Sequence, residues 1–321
     1  MISLIYLTNR IDCKFHWAFD SFFNQYDNSI VVEWIIVDFY KSNSEKRSEY
    51  FFDHISDKFN FKHINPKPCS IQGKYKITKD EWFAAANARN TGICYADGSY
   101  AVFIDDLSIL GPKWWEAVKR GFQSSQVIAG CYAKIKGLDV GNGVRISGED
   151  TDGGLDARLK QSRTSRYVSG TELFGCSFGI PVDTYLSING MDEALNGLGM
   201  EDCVFGIQLQ KAGHKIWFDV DMYSEENDEM HGNGLIFKRE DKLLTQEQYE
   251  AARQRLGCTK YYHQGGRTDS SHLFLDMVYS QEKPWTFGNN FNLSELKKTK
   301  EFTLPTGNEL HWVDLTLIKD M

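Results

Sequence analysis

The segment Tyr100–Leu110, YAVFIDDLSIL, decides the fold. An uncharged run, Tyr100–Ile104, leads straight into two adjacent carboxylates, Asp105 and Asp106. A helical pattern with proline near its first turn follows at Pro112–Phe122. Such a run is the pattern of a strand buried on both faces, as in sheets covered by helices. In open α/β sheets, ligands bind outside the carboxyl ends of the strands, which is where the two carboxylates fall. Paired carboxylates there suit a hard divalent cation that shares itself with substrate phosphates. The competing account is a loop-starting aspartate that caps the next turn.

Upstream, strand and helix patterns alternate. Ile2–Leu7 and Ile30–Val37 read as strands; His16–Gln25, Glu45–Lys58 and Glu81–Ala96 read as helices. This alternation predicts a mostly parallel sheet with helices on its faces. Downstream, Gly137–Gly154 carries six glycines among Asp and Asn, and reads as a long mobile loop: a lid over a site, or a plain surface insertion. Tyr167–Ile180 then looks extended, Glu201–Ala212 helical and Lys215–Val220 strand-like. Beyond about Leu235 the pattern loosens, leaving one clear helix at Gln246–Leu256. Residues 1–235 therefore read as one α/β domain and 236–321 as an irregular C-terminal appendage, with no internal repeat.

A chain of 321 residues can bury a sizeable core. Its 36 Lys and Arg against 44 Asp and Glu give a net charge of −8. With no basic run, non-specific binding to nucleic acid or anionic lipid is disfavoured. Seven cysteines without a Cys-x-x-Cys pair argue against a zinc ribbon or thioredoxin-type site and fit a reducing, cytoplasmic compartment. No signal peptide is expected from the strand-like N-terminus. The most apolar stretch, Ile30–Tyr40, is broken by Glu33 and Asp38, so no transmembrane segment is expected.

Four further places carry candidate chemistry. Glu201 and Asp202 open a helix in GMEDCVFGIQLQKAGHKIWFD, Gly199–Asp219, where first-turn carboxylates either complement the helix dipole or present a general base. His231, in MHGNG, is either a metal ligand or an ordinary surface histidine. Arg89, in ANARNTG at Ala86–Gly92, either clamps a phosphate or sits on a helix surface. Thr8, Asn9 and Arg10 follow the first strand and Asp38 ends the second, on the same sheet edge as Asp105.

Taken in order, Thr8-Asn9-Arg10, Asp38, Ala88-Arg89-Asn90-x-Gly92, FIDDL at Phe103–Leu107, FGCSFGIPVDTYLSINGMDE at Phe174–Glu193 and the GMED helix form a recognisable set. Over about Met1–His231 the chain resembles the GT-A type glycosyltransferases of family two, and its Glu-Asp segment is similar to that of the β-1,4-galactosyltransferase group. The resemblance implies a GT-A, Rossmann-like fold and inverting transfer from a nucleoside-diphosphate sugar, with a UDP-sugar favoured. The acceptor hydroxyl would belong to a glycan, a protein, a lipid-linked glycan or a modified nucleobase.

Residue by residue, the resemblance implies that Asp38 binds the base, that Thr8 and Arg10 lie along the nucleotide, and that Arg89 and Asn90 approach the base or diphosphate. Asp105 would face the ribose or metal, Asp106 and His231 would ligate Mn²⁺ or Mg²⁺, and Ser177 would lie near the donor sugar. Glu201 would hold the acceptor and Asp202 would be its base. The family often writes the metal motif Asp-x-Asp, whereas Leu107 stands here at the third position. Two other functions use overlapping residues: a metal-dependent nucleotidyltransferase or phosphohydrolase, which needs no Glu201–Asp202, and a nucleotide-sugar binding protein without turnover.

Overall fold

The computed structural model describes residues 1–40, 45–55, 57, 59–69, 84–195, 199–228, 245–255, 257–261, 270–280, 282, 289 and 291–302. In chain order, the first half comprises β1 (Ile2–Thr8), α1 (Phe15–Phe23), β2 (Val32–Asp38), α2 (Glu45–His54), β3 (Asn60–Ile64), α3 (Ala85–Tyr95), β4 (Tyr100–Asp105), β5 (Ser108–Leu110) and α4 (Trp114–Ser124). There follow β6 (Val127–Gly141), β7 (Val144–Leu155), α5 (Ala157–Gln161), β8 (Arg166–Val168), β9 (Ser177–Pro181), α6 (Val182–Ser187), α7 (Glu201–Lys211) and β10 (Ile216–Asn227). Three C-terminal helices complete the described chain: α8 (Gln246–Arg255), α9 (Ser270–Ser280) and α10 (Leu293–Thr299).

Ten strands form one sheet in the order β3-β2-β1-β4-β9-β6-β10-β5, with β7 on β6 and β8 on β10. The β3-β2-β1-β4 half is parallel, as alternation with helices predicts. The sheet as a whole is mixed rather than mostly parallel, because β9 inserts antiparallel between β4 and β6 and because β5, β7 and β8 also pair antiparallel.

Every residue of β1 is buried, and its side chains alternate between two cores. Ile5 and Leu7 join Ile35, Phe103 and Phe178 on one face; Leu4 and Tyr6 join Phe15, Phe22 and Trp34 on the other. Phe15 packs edge-on against Tyr6 and Trp34, with ring centroids 5.1 and 5.4 Å apart. Each fully buried Phe or Leu of this kind contributes roughly 1.5–3 kcal/mol. The parallel half is thereby closely packed, and the strand register sets the ends of β1, β2 and β4 side by side.

Gly137–Gly154 is not a mobile loop. It forms most of the β6–β7 hairpin, closed by Asn142 and Gly143, whose φ values of 53° and 73° suit a hairpin turn that follows the strand twist. A Cβ at Gly143 would run into the backbone of Asp20 and Ser21 in α1, and Asn24 Nδ2 donates to Asn142 O at 2.7 Å. The turn is thus pinned to α1. Ile135, Leu138 and Val140 pack with Trp17 and Ile109 beneath it. Other glycines of the segment fall near register shifts in the ladder, where bulges accommodate them.

At the C-terminus, α10 packs into the main core. Leu293 is fully buried there, and Asn189 Oδ1 accepts from Leu293 N at 2.7 Å. Lys297 donates to Ile93 O and Ala96 O, and Lys300 to Cys94 O, so two lysines satisfy carbonyls at the end of α3. Among the described residues no helix is long and apolar enough to cross a membrane.

Candidate active site

The candidate residues gather where β1, β2 and β4 end and α7 begins. Asp105 ends β4 and Asp106 opens the bend after it, and their side chains meet different partners. Asp106 turns toward β1: Thr8 Oγ1 donates to its Oδ2 at 2.8 Å and Arg10 Nε to its Oδ1 at 3.3 Å. Arg10 N in turn donates to Thr8 Oγ1 at 3.1 Å, which orders the start of the loop. Burial pushes the Asp106 carboxyl up to about 6, against the opposing pull of Arg10 and the Thr8 hydroxyl. Leu107 follows with φ 59°, a left-handed conformation that is costly for a branched side chain. Its N–H donates to Cys13 O, and its carbonyl accepts from Asn227 N, which fixes the strained turn between the β1–α1 connection and the end of β10.

Asp105 turns the other way, toward α3. Arg89 Nη2 donates to Asp105 Oδ1 at 3.1 Å and to Gly175 O at 3.0 Å, while Nη1 donates to Glu201 Oε1 at 3.1 Å. Ten consecutive residues of α3, Ala85–Cys94, are buried, so a cationic side chain on this helix has no surface to reach. A Cβ at Gly175 would collide with the Arg89 guanidinium, and that position needs glycine for the close approach. Burial and the neighbouring Asp202 push the Glu201 carboxyl up to about 7, with Arg89 pulling it down.

Asp202 Oδ2 accepts from Gly175 N at 2.8 Å and its Oδ1 from Cys203 N at 2.7 Å. The residue before α7, Met200, provides no side-chain cap and sits at φ 69°. Asp202 therefore satisfies one first-turn N–H of its own helix and ties α7 to the Gly175 loop, while remaining partly open to solvent. A carboxylate held by two backbone N–H groups is fixed in direction, which suits a base.

Four sequence-based expectations need correction. Asp38 is wholly buried and its oxygens are engaged by Arg47, His63 Nε2 at 3.0 Å and Tyr40 N at 2.9 Å, so it is not presented to a base. Burial opposes its ionisation, yet His63 and Arg47 hold it below the ordinary carboxylate range. Asn90 accepts from Tyr185 Oη at 2.8 Å and donates to Met191 O and Glu193, deep in the core and away from any diphosphate. Ser177 is buried inside β9 and accepts from Trp114 Nε1 at 3.0 Å, so it does not line a donor-sugar pocket. Arg89 bridges Asp105 and Glu201 instead of approaching the base or diphosphate. Thr8, Arg10, Asp105, Asp106, Glu201 and Asp202 do gather at this edge. His231 lies outside the described residues.

Sequence reasoning missed Arg47 and His63. Their signal was weak: a lone arginine in a polar helix and a histidine in a short strand, both beside Asp38 only in three dimensions. Among the described residues no group of three or more His, Cys, Asp and Glu comes together as a metal cage. Asp106 alone still fits a cation completed by diphosphate oxygens, because magnesium-type ions are commonly held by one or two carboxylates plus substrate phosphates. Its side chain is 14% exposed and that of Asp105 27%, so a ligand can reach both.

Residues 157–229, which include Glu201 and Asp202, match the family described as the N-terminal domain of galactosyltransferase. Among solved structures, Staphylococcus aureus TarS 1–349 in complex with UDP aligns with TM-score 0.50 at 12% identity, over 70% of this chain and 60% of that one. The same protein in complex with UDP-GlcNAc aligns with TM-score 0.51 at 13% identity, over 80% and 65%. The chain thus spans less than two thirds of the length of these solved chains. No curated protein matches it by sequence. The fold is that of the GT-A glycosyltransferases, a mixed α/β sheet flanked by helices.

Proposed function

We propose that this protein transfers a sugar from a nucleoside-diphosphate donor, a UDP-sugar in the first instance, to an acceptor hydroxyl with inversion. One observation carries the proposal: Arg89 joins Asp105, at the end of β4, to Glu201, at the start of α7, with 3.1 Å contacts on both sides. A single buried cation thereby holds a nucleotide-side carboxylate and an acceptor-side carboxylate in fixed relation. A nucleotidyltransferase would have no use for the second half of that arrangement.

In this reading Asp202 accepts the proton of the acceptor hydroxyl as its oxygen attacks the anomeric carbon, and Glu201 orients the acceptor through a second hydroxyl. The sugar carries oxocarbenium character as the bond to the diphosphate oxygen breaks. Asp106 would hold Mn²⁺ or Mg²⁺, which would supply neutralising charge to the departing diphosphate, and Asp105, tied to Arg89, would face the ribose. Thr8 keeps Asp106 in place, and Arg10 lies beside it as a further cation. His231, outside the described residues, is kept as a proposed metal ligand. Residues 1–235 form the catalytic domain in this reading, and α10 of the 236–321 segment straps α3. Seven cysteines without a disulfide among them fit the cytoplasm.

Incubation with Mn²⁺, a panel of UDP-sugars and candidate acceptors, followed by assay of released UDP, tests the proposal. Acceptor-dependent UDP release supports it. Release of UMP and sugar 1-phosphate instead would establish the phosphohydrolase function, and release of pyrophosphate in a parallel incubation with UTP and a sugar 1-phosphate would establish the nucleotidyltransferase function.

A further inference from the structure

Asp38 is fully enclosed and takes no part in any surface. Arg47 Nε reaches its Oδ2 at 2.7 Å and Nη2 its Oδ1 at 3.2 Å, a two-point pairing. The same guanidinium donates to the carbonyls of Arg10, at 2.5 Å, and Ile11. His63 closes the far side of Asp38, and Ser48 Oγ lies 2.8 Å from His63 Nδ1. Strands β2 and β3 and helix α2 therefore pin the backbone of the loop after β1. That loop carries Arg10, whose side chain ends on Asp106.

The two arginine contacts differ in kind. Arg47 is bound at several points, and its side chain is 9% exposed. Arg10 meets Asp106 through Nε at 3.3 Å, long for a charged pair, with its side chain 19% exposed. The first is a fixture. The second compensates a carboxylate that would be costly to bury unpaired, at a strength a divalent cation readily exceeds.

We propose that Arg10 is the resident counter-cation of Asp106, positioned by the Asp38–Arg47 staple, and that it yields the carboxylate to a divalent cation when a nucleoside diphosphate binds, turning its guanidinium to the diphosphate. Asp38 then acts on the site through Arg47 and Arg10 and does not read the base. The inference rests on the glycosyltransferase reading for the identity of the incoming ligand.

Its test is binding, with no turnover required. Mn²⁺ uptake without nucleotide is measured from the electron paramagnetic resonance signal of the free ion, and UDP affinity at saturating Mn²⁺ by calorimetry. Arg10→Met removes the competitor, so Mn²⁺ alone should bind on the order of tenfold tighter, while UDP with Mn²⁺ should bind on the order of tenfold weaker. Arg47→Met should shift both in the same directions by less, and Asp106→Asn should abolish Mn²⁺ uptake. Because Arg47 is structural, the deciding variant is Arg10→Met, whose side chain lies in a part-exposed loop. If the unaltered protein binds Mn²⁺ and UDP but Arg10→Met binds Mn²⁺ alone no more tightly, the inference is overturned and the functional reading stands. If the unaltered protein takes up neither, both fall together.

Discussion

Arg89 and Glu201 stand 112 positions apart in the chain, and their side chains meet at 3.1 Å beneath the edge where β4 ends. The same guanidinium also holds Asp105, so the geometry between the two halves of the site depends on one side chain that is 2% exposed. A buried arginine flanked by two carboxylates is poor evidence for stability in itself, since desolvation consumes much of the attraction. It is better understood as a positioning device, because its planar fork sets the angle between partners on separate elements.

Arg89→Met is therefore expected to leave two carboxylates facing each other without a cation. Breaking a buried pair in this way typically costs about 3–5 kcal/mol. The urea midpoint should fall accordingly, and transfer should be lost in whatever protein stays folded. Arg89→Lys keeps the charge but cannot span Asp105, Glu201 and Gly175 O at once, and should recover stability in part with little activity. Recovery of near-normal transfer by Arg89→Lys would show that charge alone matters and that the fork does not.

Asp106→Ala is expected to remove turnover together with the response to Mn²⁺. Asp105→Ala should weaken UDP binding and also release Arg89, with a lower thermal midpoint as a second signature. Titrating Mn²⁺ into assays of both variants separates them. Activity in Asp106→Ala that still rises with Mn²⁺ would place the cation elsewhere.

Glu201 gives the site a pH signature with a definite sign. Its carboxyl is pushed from the ordinary carboxylate value up to about 7, first by burial and then by Asp202. The folded chain therefore holds a proton that the unfolded chain has released between about 4.5 and about 7. The stabilising effect of that proton is fully present below the lower value and is lost as pH rises toward about 7. Glu201→Gln should flatten this part of the stability profile. Thermal midpoints at a series of pH values for both proteins check it, and profiles of identical slope would remove Glu201 as the titrating group.

Legibility in the sequence tracked how local the governing physics was. The strand at Tyr100–Ile104 and its two carboxylates were readable because an unbroken apolar run needs no partner to be recognised. The helix at Glu201 was readable for a similar reason, from its apolar positions and first-turn carboxylates. The hairpin was misread because glycine content outweighed Asn142-Gly143, a two-residue turn signal between Val140-Gly141 and Val144. Asp38, Asn90 and Ser177 lie in the expected strands and helix, yet their roles depend on partners remote in sequence: Arg47 and His63, Glu193 and Met191, and Trp114. Pairings of that kind leave no periodic trace.

The hairpin carries its own expectation. As a strand pair pinned to α1, with Ile135, Leu138 and Val140 in a shared core, its β6 amides should be strongly protected from hydrogen exchange, and equally so with and without UDP and Mn²⁺. Gly143→Ala introduces both a clash with the Asp20–Ser21 backbone and strain at positive φ, and should destabilise the fold by about 1–3 kcal/mol. Protection that appears only on adding UDP would restore the lid interpretation.

The last prediction separates catalysis from helix capping at Asp202. Its carboxylate satisfies Cys203 N and Gly175 N, so part of its role is plainly structural. Asp202→Asn keeps the shape and one acceptor oxygen, and the loss of a capping contact costs about 1 kcal/mol. A general base acts on the chemical step alone, and its removal typically lowers rate by ~10²–10⁴-fold. The two accounts therefore diverge sharply: capping predicts a small fall in thermal midpoint with transfer nearly intact, and catalysis predicts a large fall in transfer with UDP affinity preserved. Glu201→Gln supplies the control, since a residue that holds the acceptor should raise the acceptor KM more than it lowers kcat. Thermal midpoint, UDP affinity and transfer rate measured on both variants decide the matter. Unchanged transfer in Asp202→Asn would leave the site without its proton acceptor and would move that role to Glu201, the neighbouring carboxyl that burial already holds near about 7.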